Sequence, residues 1–296
     1  ELGTGAIFSV SISDNTVANF PSASTQYDQR RVFAGSSQNP LKVWMTNAGE
    51  QNLMIYHLPV MDDDRITFTA VAADADRIKH VVALNSLILF TGSSELRVFT
   101  QNSDALTPSS IAVRAQSYIG ANDVQPVTVN NQVVYAAARG GHVHGLGYDY
   151  NSAGYLSSDL SVMSVHLFDN KEVKDLTLAK APVQIVWAAS SDGTLLGMTF
   201  LPEQNITAWH RHDLSGDVES VCAVSEGMED HLYVVVNRNG LRCIERMNDL
   251  NVPSSAVNYR YLDSYLNGTF VKPQTSVSGL SHLAGKTVAL WVDGVQ

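Results

Sequence analysis

Five glycines in short polar turns, Gly35, Gly92, Gly141, Gly193 and Gly240, follow one another along the 296-residue chain at intervals of 57, 49, 52 and 47 residues. Each lies between two apolar runs. Tight turns between antiparallel strands need residues that accept positive φ, so a glycine between apolar runs is a strong hairpin signal. The fullest copy is at 183–214. Its strand 185–189 reaches the turn Ser191-Asp192-Gly193, strand 194–201 is broken by Pro202, and strand 205–212 alternates, with Ile206, Ala208 and His210 to one side. A meander of three or four such strands is the repeating unit of a β-propeller, and a period near 50 residues matches radially repeated blades.

The other copies read in the same way. Strand 31–34 precedes Gly35 and 42–46 follows it. Strands 81–84 and 87–91 precede the Gly92 turn, and 96–99 follows. Strands 127–129 and 133–136 lead to Gly140-Gly141 and then 142–148. Strands 218–224 and 232–236 lead to Asn239-Gly240 and then 241–247. Segments 61–76 and 101–122 read as long inter-blade excursions, and 160–168 fits a short helix or a strand. Strand 6–12, joined with residues near 250–265, is a source for a sixth unit. The expected fold is all-β, with β-propeller-like repeated antiparallel meanders followed by the start of a second β domain. The expected organisation is an N-terminal strand and linker over 1–28, the propeller-like domain over 29–255, and the incomplete beginning of a further β domain over 256–296. In that last segment 259–263 and 286–292 are strands, and Asn267-Gly268 and Asp293-Gly294 are turns.

Composition narrows the function classes. Lys, Arg, Asp and Glu make up 16% of the chain and the net charge is −10, which argues against tight, sequence-independent binding of nucleic acid. A run of about 18 apolar residues is missing, so neither a transmembrane helix nor membrane insertion is expected. The first five residues do not read as a signal peptide. Cys222 and Cys243 fall on the first and third strands of one meander, where two buried thiols are expected rather than a disulfide.

Several constellations invite a chemical reading. His142-Val143-His144 and His210-Arg211-His212 each place two imidazoles on one strand face, a spacing metals use. Neither brings a third ligand locally, so strand histidines held by hydrogen bonds are the expectation. Asp62-Asp63-Asp64 lacks the spaced ligands of a calcium loop and reads as a solvated turn. Asp192 and Glu203 sit near strand ends, where a carboxylate pair could cleave glycosides. Against this, Ser190-Ser191-Asp192-Gly193-Thr194 departs in spacing from the sialidase turn, and no Trp follows. Trp44, Trp187, Trp209 and Trp291 all fall in strands and read as sheet packing. Arg30-Arg31 fits a salt-bridged pair at a blade edge or a contact to another subunit. Phosphate loops, nucleophile elbows and Cys-x-x-Cys pairs are missing from the sequence. The expectation is therefore a non-enzyme with no catalytic, cofactor-binding or metal-binding residues and no cofactor.

Segment 29–36 (QRRVFAGS), followed by Pro40 and Val43-Trp44-Met45, resembles the opening propeller strands of the tail nozzle proteins of short-tailed bacteriophages. These are also called tail tubular protein B or phage stabilisation proteins. Asp62-Asp63-Asp64-Arg65-Ile66 is similar to that family's acidic loop, and 95–100 through Leu106-Thr107-Pro108 to its next blade. Blocks 203–212, 216–221 and 279–288 look like further common segments, so the resemblance is spread over most of 27–294. It implies a structural virion protein of the tail, a protomer of a homo-hexameric ring. Such a ring sits below the portal and adaptor, channels the genome during ejection and holds tail fibres or spikes, with DNA passing transiently and without specific contacts. The alternative is a propeller lectin or glycosidase acting on host surface glycans.

Overall fold

The computed structural model describes residues 20–71, 76–101, 105–204, 206–248, 272, 275–285 and 287–288. Strands 6–12 and 259–263, most of 286–292, the turns at 267–268 and 293–294, and Trp291 lie outside the described residues. The protein is all-β and propeller-like, built of repeated antiparallel meanders in two compact units, 1–170 and 171–296.

Unit 1 holds three four-stranded sheets. The first comprises β1 (Ala23–Tyr27), β2 (Arg30–Ala34), β3 (Lys42–Met45) and β4 (Ile66–Thr69). The second comprises β5 (Ile78–Ala83), β6 (Leu87–Thr91), β7 (Glu95–Thr100) and β8 (Ile111–Ser117). The third comprises β9 (Val127–Val129), β10 (Gln132–Ala136), β11 (Val143–Asp149) and β12 (Gly154–Asp159). In each, neighbours in sequence are neighbours in the sheet. Unit 2 repeats the device with β13 (Val173–Ala179), β14 (Ile185–Ser190), β15 (Leu195–Leu201) and β16 (Ile206–His212). A sheet of β17 (Asp217–Glu226), β18 (Glu229–Arg238) and β19 (Leu241–Arg246) follows.

The core lies between sheets, which explains why the second strands read as unbroken apolar runs. In β6 (LILFT) every residue is buried. Successive side chains alternate in direction, so Leu87 and Leu89 pack with Val32, Val43 and Met45 of the first sheet. Ile88 and Phe90 pack with Val133, Tyr135 and Leu146 of the third. In unit 2, Ile185, Trp187 and Ala189 of β14 pack against Val218, Val221, Val234 and Val236. A strand covered on both faces loses its alternation and keeps only its length and flanking turns.

All five turn glycines fall between the second and third strands of their sheets, so the repeat in sequence is one structural position. At Gly35 φ is +64°, and a Cβ there would sit 2.6 Å from the Ile78 carbonyl oxygen. The first sheet starts at Ala23, ahead of residue 29, because β1 (ASTQY) is too polar to announce itself as a strand. The excursions at 61–76 and 101–122 supply the fourth strands β4 and β8. Segment 160–168 contains a 3₁₀ turn, Val162–Leu167. No helix among the described residues is long and apolar enough to cross a membrane.

Candidate functional site

The first constellation grows from β2, whose inward positions are Arg30, Val32 and Ala34. Alternation therefore sends Arg30 inward, where it is 2% exposed, and leaves Arg31 half-buried with its guanidinium near Gln51 Oε1 at 3.3 Å. Arg30 is not part of a surface salt bridge. It donates to the main-chain carbonyls of Thr46 (2.8 Å), Asp62 (2.8 Å) and Asp64 (2.6 Å), and more loosely to Asp63 and Leu106 at 3.4 Å. Burial pulls its pKa down and the carboxylates of Asp28, Asp63 and Asp64 push back. A guanidinium stays charged under such a balance.

Asp64, fully buried, completes the bracket from the other side. Its carboxylate accepts the His57 and Met61 amides, both at 2.9 Å, and pairs with His57 Nδ1 at 2.5 Å. Burial works to raise its pKa, but these bonds hold the carboxyl below the usual carboxylate range. Asp62-Asp63-Asp64 is thus a carbonyl and carboxylate clamp as well as a turn. Between the clamp and β3 it fixes a loop with Leu53, Tyr56, Leu58, Val60 and Met61 exposed, Leu58 by 84%. The Asn47 side chain accepts the Ile55 amide at 2.7 Å, and the Ile55 carbonyl accepts the Arg65 amide at 3.0 Å. A loop pinned at both ends yet apolar at its tip is built for contact.

The second constellation lies in the third sheet. His142 precedes β11 and reaches two carboxylates, Asp159 (Nδ1 to Oδ2, 2.8 Å) and Asp169 (Nε2 to Oδ1, 3.4 Å). The Asp159 hydrogen bond is the largest influence and raises the imidazole pKa; burial opposes it and Asp169 adds to it. Asp159 also accepts from the Ser161 amide and hydroxyl at 2.8 and 2.6 Å. The Ser161 hydroxyl therefore points at the Asp159 carboxylate. His144 turns to a different neighbourhood, Ser157 Oγ at 3.4 Å and the Tyr135 ring at 5.9 Å, and burial lowers its pKa. The two imidazoles are each engaged by their own partners. Ser157 also bonds the Tyr135 hydroxyl at 2.9 Å. Near it the Glu95 carboxyl is fully buried and pushed up by burial. No donor meets strict hydrogen-bond geometry at either Glu95 oxygen, although Ser117, Tyr135 and the Ile119 and Gly120 amides lie close enough to favour its ionised form.

In unit 2 an open cleft of about 560 Å³ runs beside Lys174, Ser191, Asp192, Asp217 and Glu219. Most of its charges are already matched. Asp192 pairs with Lys171 at 2.8 Å, Lys174 with Glu172 at 3.1 Å, and Glu219 with Arg242 at 2.6 Å. Burial raises the Asp192 pKa, but Lys171, Thr194 and Ser190 outweigh it and hold the carboxyl far below the ordinary range. Asp192 and Glu203 lie at opposite ends of seven-residue β15, whose length is roughly 20 Å. A glycosidase pair needs about 5–9.5 Å, so these two cannot act together. His210 and His212 share a face, their ring centroids 5.1 Å apart and both against Trp187. Gly197 makes room, since a Cβ there would lie 2.3 Å from His210 Nε2. No group of three or more His, Cys, Asp or Glu side chains able to hold a metal occurs among the described residues.

Trp187 is buried, while Trp44 and Trp209 are half-buried. Cys222 and Cys243 are free and lie on non-adjacent strands, but neither is buried: Cys222 is exposed and Cys243 half-buried. In β17 the inward positions go to Val218 and Val221, which turns the neighbouring Cys222 outward. Sequence reading missed the inward Arg30 and the Asp159–His142–Asp169 bridge. Parity with Val32 and Ala34 could have flagged the first; the second joins residues 17 and 27 apart and leaves no local signal.

No family model matches the chain, and no curated relative does. Among solved structures it is similar to an auxiliary nutrient binding protein from Bacteroides thetaiotaomicron, at 8% identity and a TM-score of 0.42 over 77% of this chain and 57% of that one. Chaetomium thermophilum Raptor aligns at 13% identity and a TM-score of 0.41, over 79% of this chain and 20% of that one. A luciferin-regenerating enzyme aligns at 10% identity and a TM-score of 0.31, over 76% and 86%. The chain thus spans little more than half of the first of these proteins and a fifth of the second, and at such scores the likenesses carry no argument about activity.

Proposed function

We propose that the chain is a structural protein of a short-tailed phage tail, a nozzle protomer that assembles into a homo-hexameric ring below the portal and adaptor. The observation that carries this reading is the blade repeat itself. A meander recurs with a turn glycine at the same place in each sheet, and several of the segments that resemble the nozzle family (29–36, 43–45, 95–100, 203–212 and 216–221) fall on those blades, at β2, β3, β7, β16 and β17. In this reading the loop between β3 and β4, apolar at its tip and pinned by Arg30 and Asp64, is a docking element for a neighbouring subunit. The net charge of −10 suits a conduit wall that repels phosphates, over a screening length of about 8 Å at physiological salt.

Electron microscopy and mass photometry of the purified chain, alone and mixed with the adaptor ring, test the proposal. Rings of six subunits support it. A particle that stays monomeric in both conditions overturns it.

A further inference from the structure

In unit 1, β7 and β8 pair so that Arg97 and Arg114 are direct cross-strand neighbours. Like charges set opposite each other in a sheet repel, and neither side chain has a carboxylate partner among the described residues. What holds them is aromatic. The Arg97 and Arg114 guanidinium carbons lie 5.1 and 5.3 Å from the centroid of one ring, Phe99. Arg97 also lies over Tyr148 at 5.5 Å and Tyr155 at 5.6 Å. Its Nε and one terminal nitrogen are fixed by Ser86 Oγ (3.0 Å) and the Ala153 carbonyl (3.2 Å). Arg114 is exposed, and Tyr150, 87% exposed, stands edge-on at 5.2 Å to Tyr148, the ring that Arg97 lies over. The carboxylate of adjacent Asp149 is taken up by the Asn151 and Ser152 amides at 3.3 and 3.1 Å. Glu95, two residues along β7, is buried toward Tyr135 and Ser117.

We infer that this surface is a binding site for an acidic saccharide, with a sugar carboxylate received by the Arg97–Arg114 pair and the sugar ring laid on Tyr150. Guanidinium forks match carboxylates in shape and charge, and stacking on aromatic faces keeps both cations desolvated on one side and pre-oriented. Two arginines without a carboxylate partner among the described residues, on a chain of net charge −10, suit a ligand with one charge per residue. A nucleic acid gains its affinity from many phosphate contacts, which a single pair does not provide.

The test is NMR or calorimetric titration of the full chain with trigalacturonate, its neutral methyl ester and an oligo(dT) of eight nucleotides. Trigalacturonate should bind, more weakly as salt rises, and the ester at least tenfold more weakly. Arg114→Ala should lose at least tenfold in affinity and Tyr150→Ala three- to tenfold. Both positions are exposed, so far-UV circular dichroism and the melting temperature should be nearly unchanged. The site is refuted by any of three results: no binding of trigalacturonate, equal binding of the ester or by the Arg114 variant, or tighter binding of oligo(dT).

Discussion

Replacing Arg30 by alanine strips the Thr46, Asp62 and Asp64 carbonyls of their donor inside the first sheet. Buried groups left unsatisfied cost about 1–3 kcal/mol each, and the expected loss is about 3–5 kcal/mol by urea denaturation, set against a mild effect for exposed Arg139. His142 gives a second prediction, in pH. Its folded pKa is raised by Asp159 and Asp169, so its contribution is full below the unfolded value of about 6.5 and is lost as pH rises through the folded pKa. His80, His144 and His210 have lowered values and oppose it, because they cost stability as pH falls below about 6.5. The difference between wild type and His142→Gln isolates the first effect. Wild type should be more stable at pH 5.5, with the gap shrinking toward pH 9. A gap that widens with pH contradicts the assignment.

The strand meander is the element that repeats, and its turn glycines are not equivalent. Gly35 and Gly240 both have positive φ, +64° and +86°. A methyl group at Gly240 would meet nothing within 4 Å, so Gly240→Ala should cost only the left-handed backbone penalty of about 1–2 kcal/mol. At Gly35 the same methyl would meet the Ile78 carbonyl at 2.6 Å, on the next sheet. The sheets must shift to accept it, and Gly35→Ala should cost about 3 kcal/mol or more. Thermal denaturation of the two variants side by side gives the ranking. Equal losses would mean that the turn alone, and not the approach of two sheets, fixes the glycine.

At the scale of the whole molecule, the predicted ring offers a direct handle on the loop between β3 and β4. Leu58 is 84% exposed and Met61 51%, so charging them as Leu58→Asp and Met61→Asp leaves the core of unit 1 intact. The double variant should keep its melting temperature within a few degrees and lose the hexamer in mass photometry. Intact hexamers would remove this loop from the subunit contact while leaving the ring itself standing. The surface of β19, with Ile244 77% and Leu241 49% exposed, is a control surface on unit 2. Ile244→Lys should leave oligomeric state unchanged if assembly runs through unit 1.

The period of the turn glycines, the apolar runs beside them and their order fixed an all-β chain of repeated meanders, because hairpins are local and their turn chemistry is written in adjacent residues. The strands around Asp192 were legible almost to the residue: 185–189, 194–201 and 205–212 against Ile185–Ser190, Leu195–Leu201 and Ile206–His212. The marginal strands β1, β4 and β8 were not: β1 (ASTQY) is polar, and β4 and β8 sit inside long turn-rich segments that hide their few apolar residues. Tertiary structure alone decided which polar groups meet. It turned Arg30 inward onto three carbonyls, set His142 between Asp159 and Asp169, separated Asp192 from Glu203 by the length of a strand, and placed Arg97 beside Arg114 on one aromatic ring. Those contacts depend on strand register and sheet stacking, which bring together residues far apart in sequence.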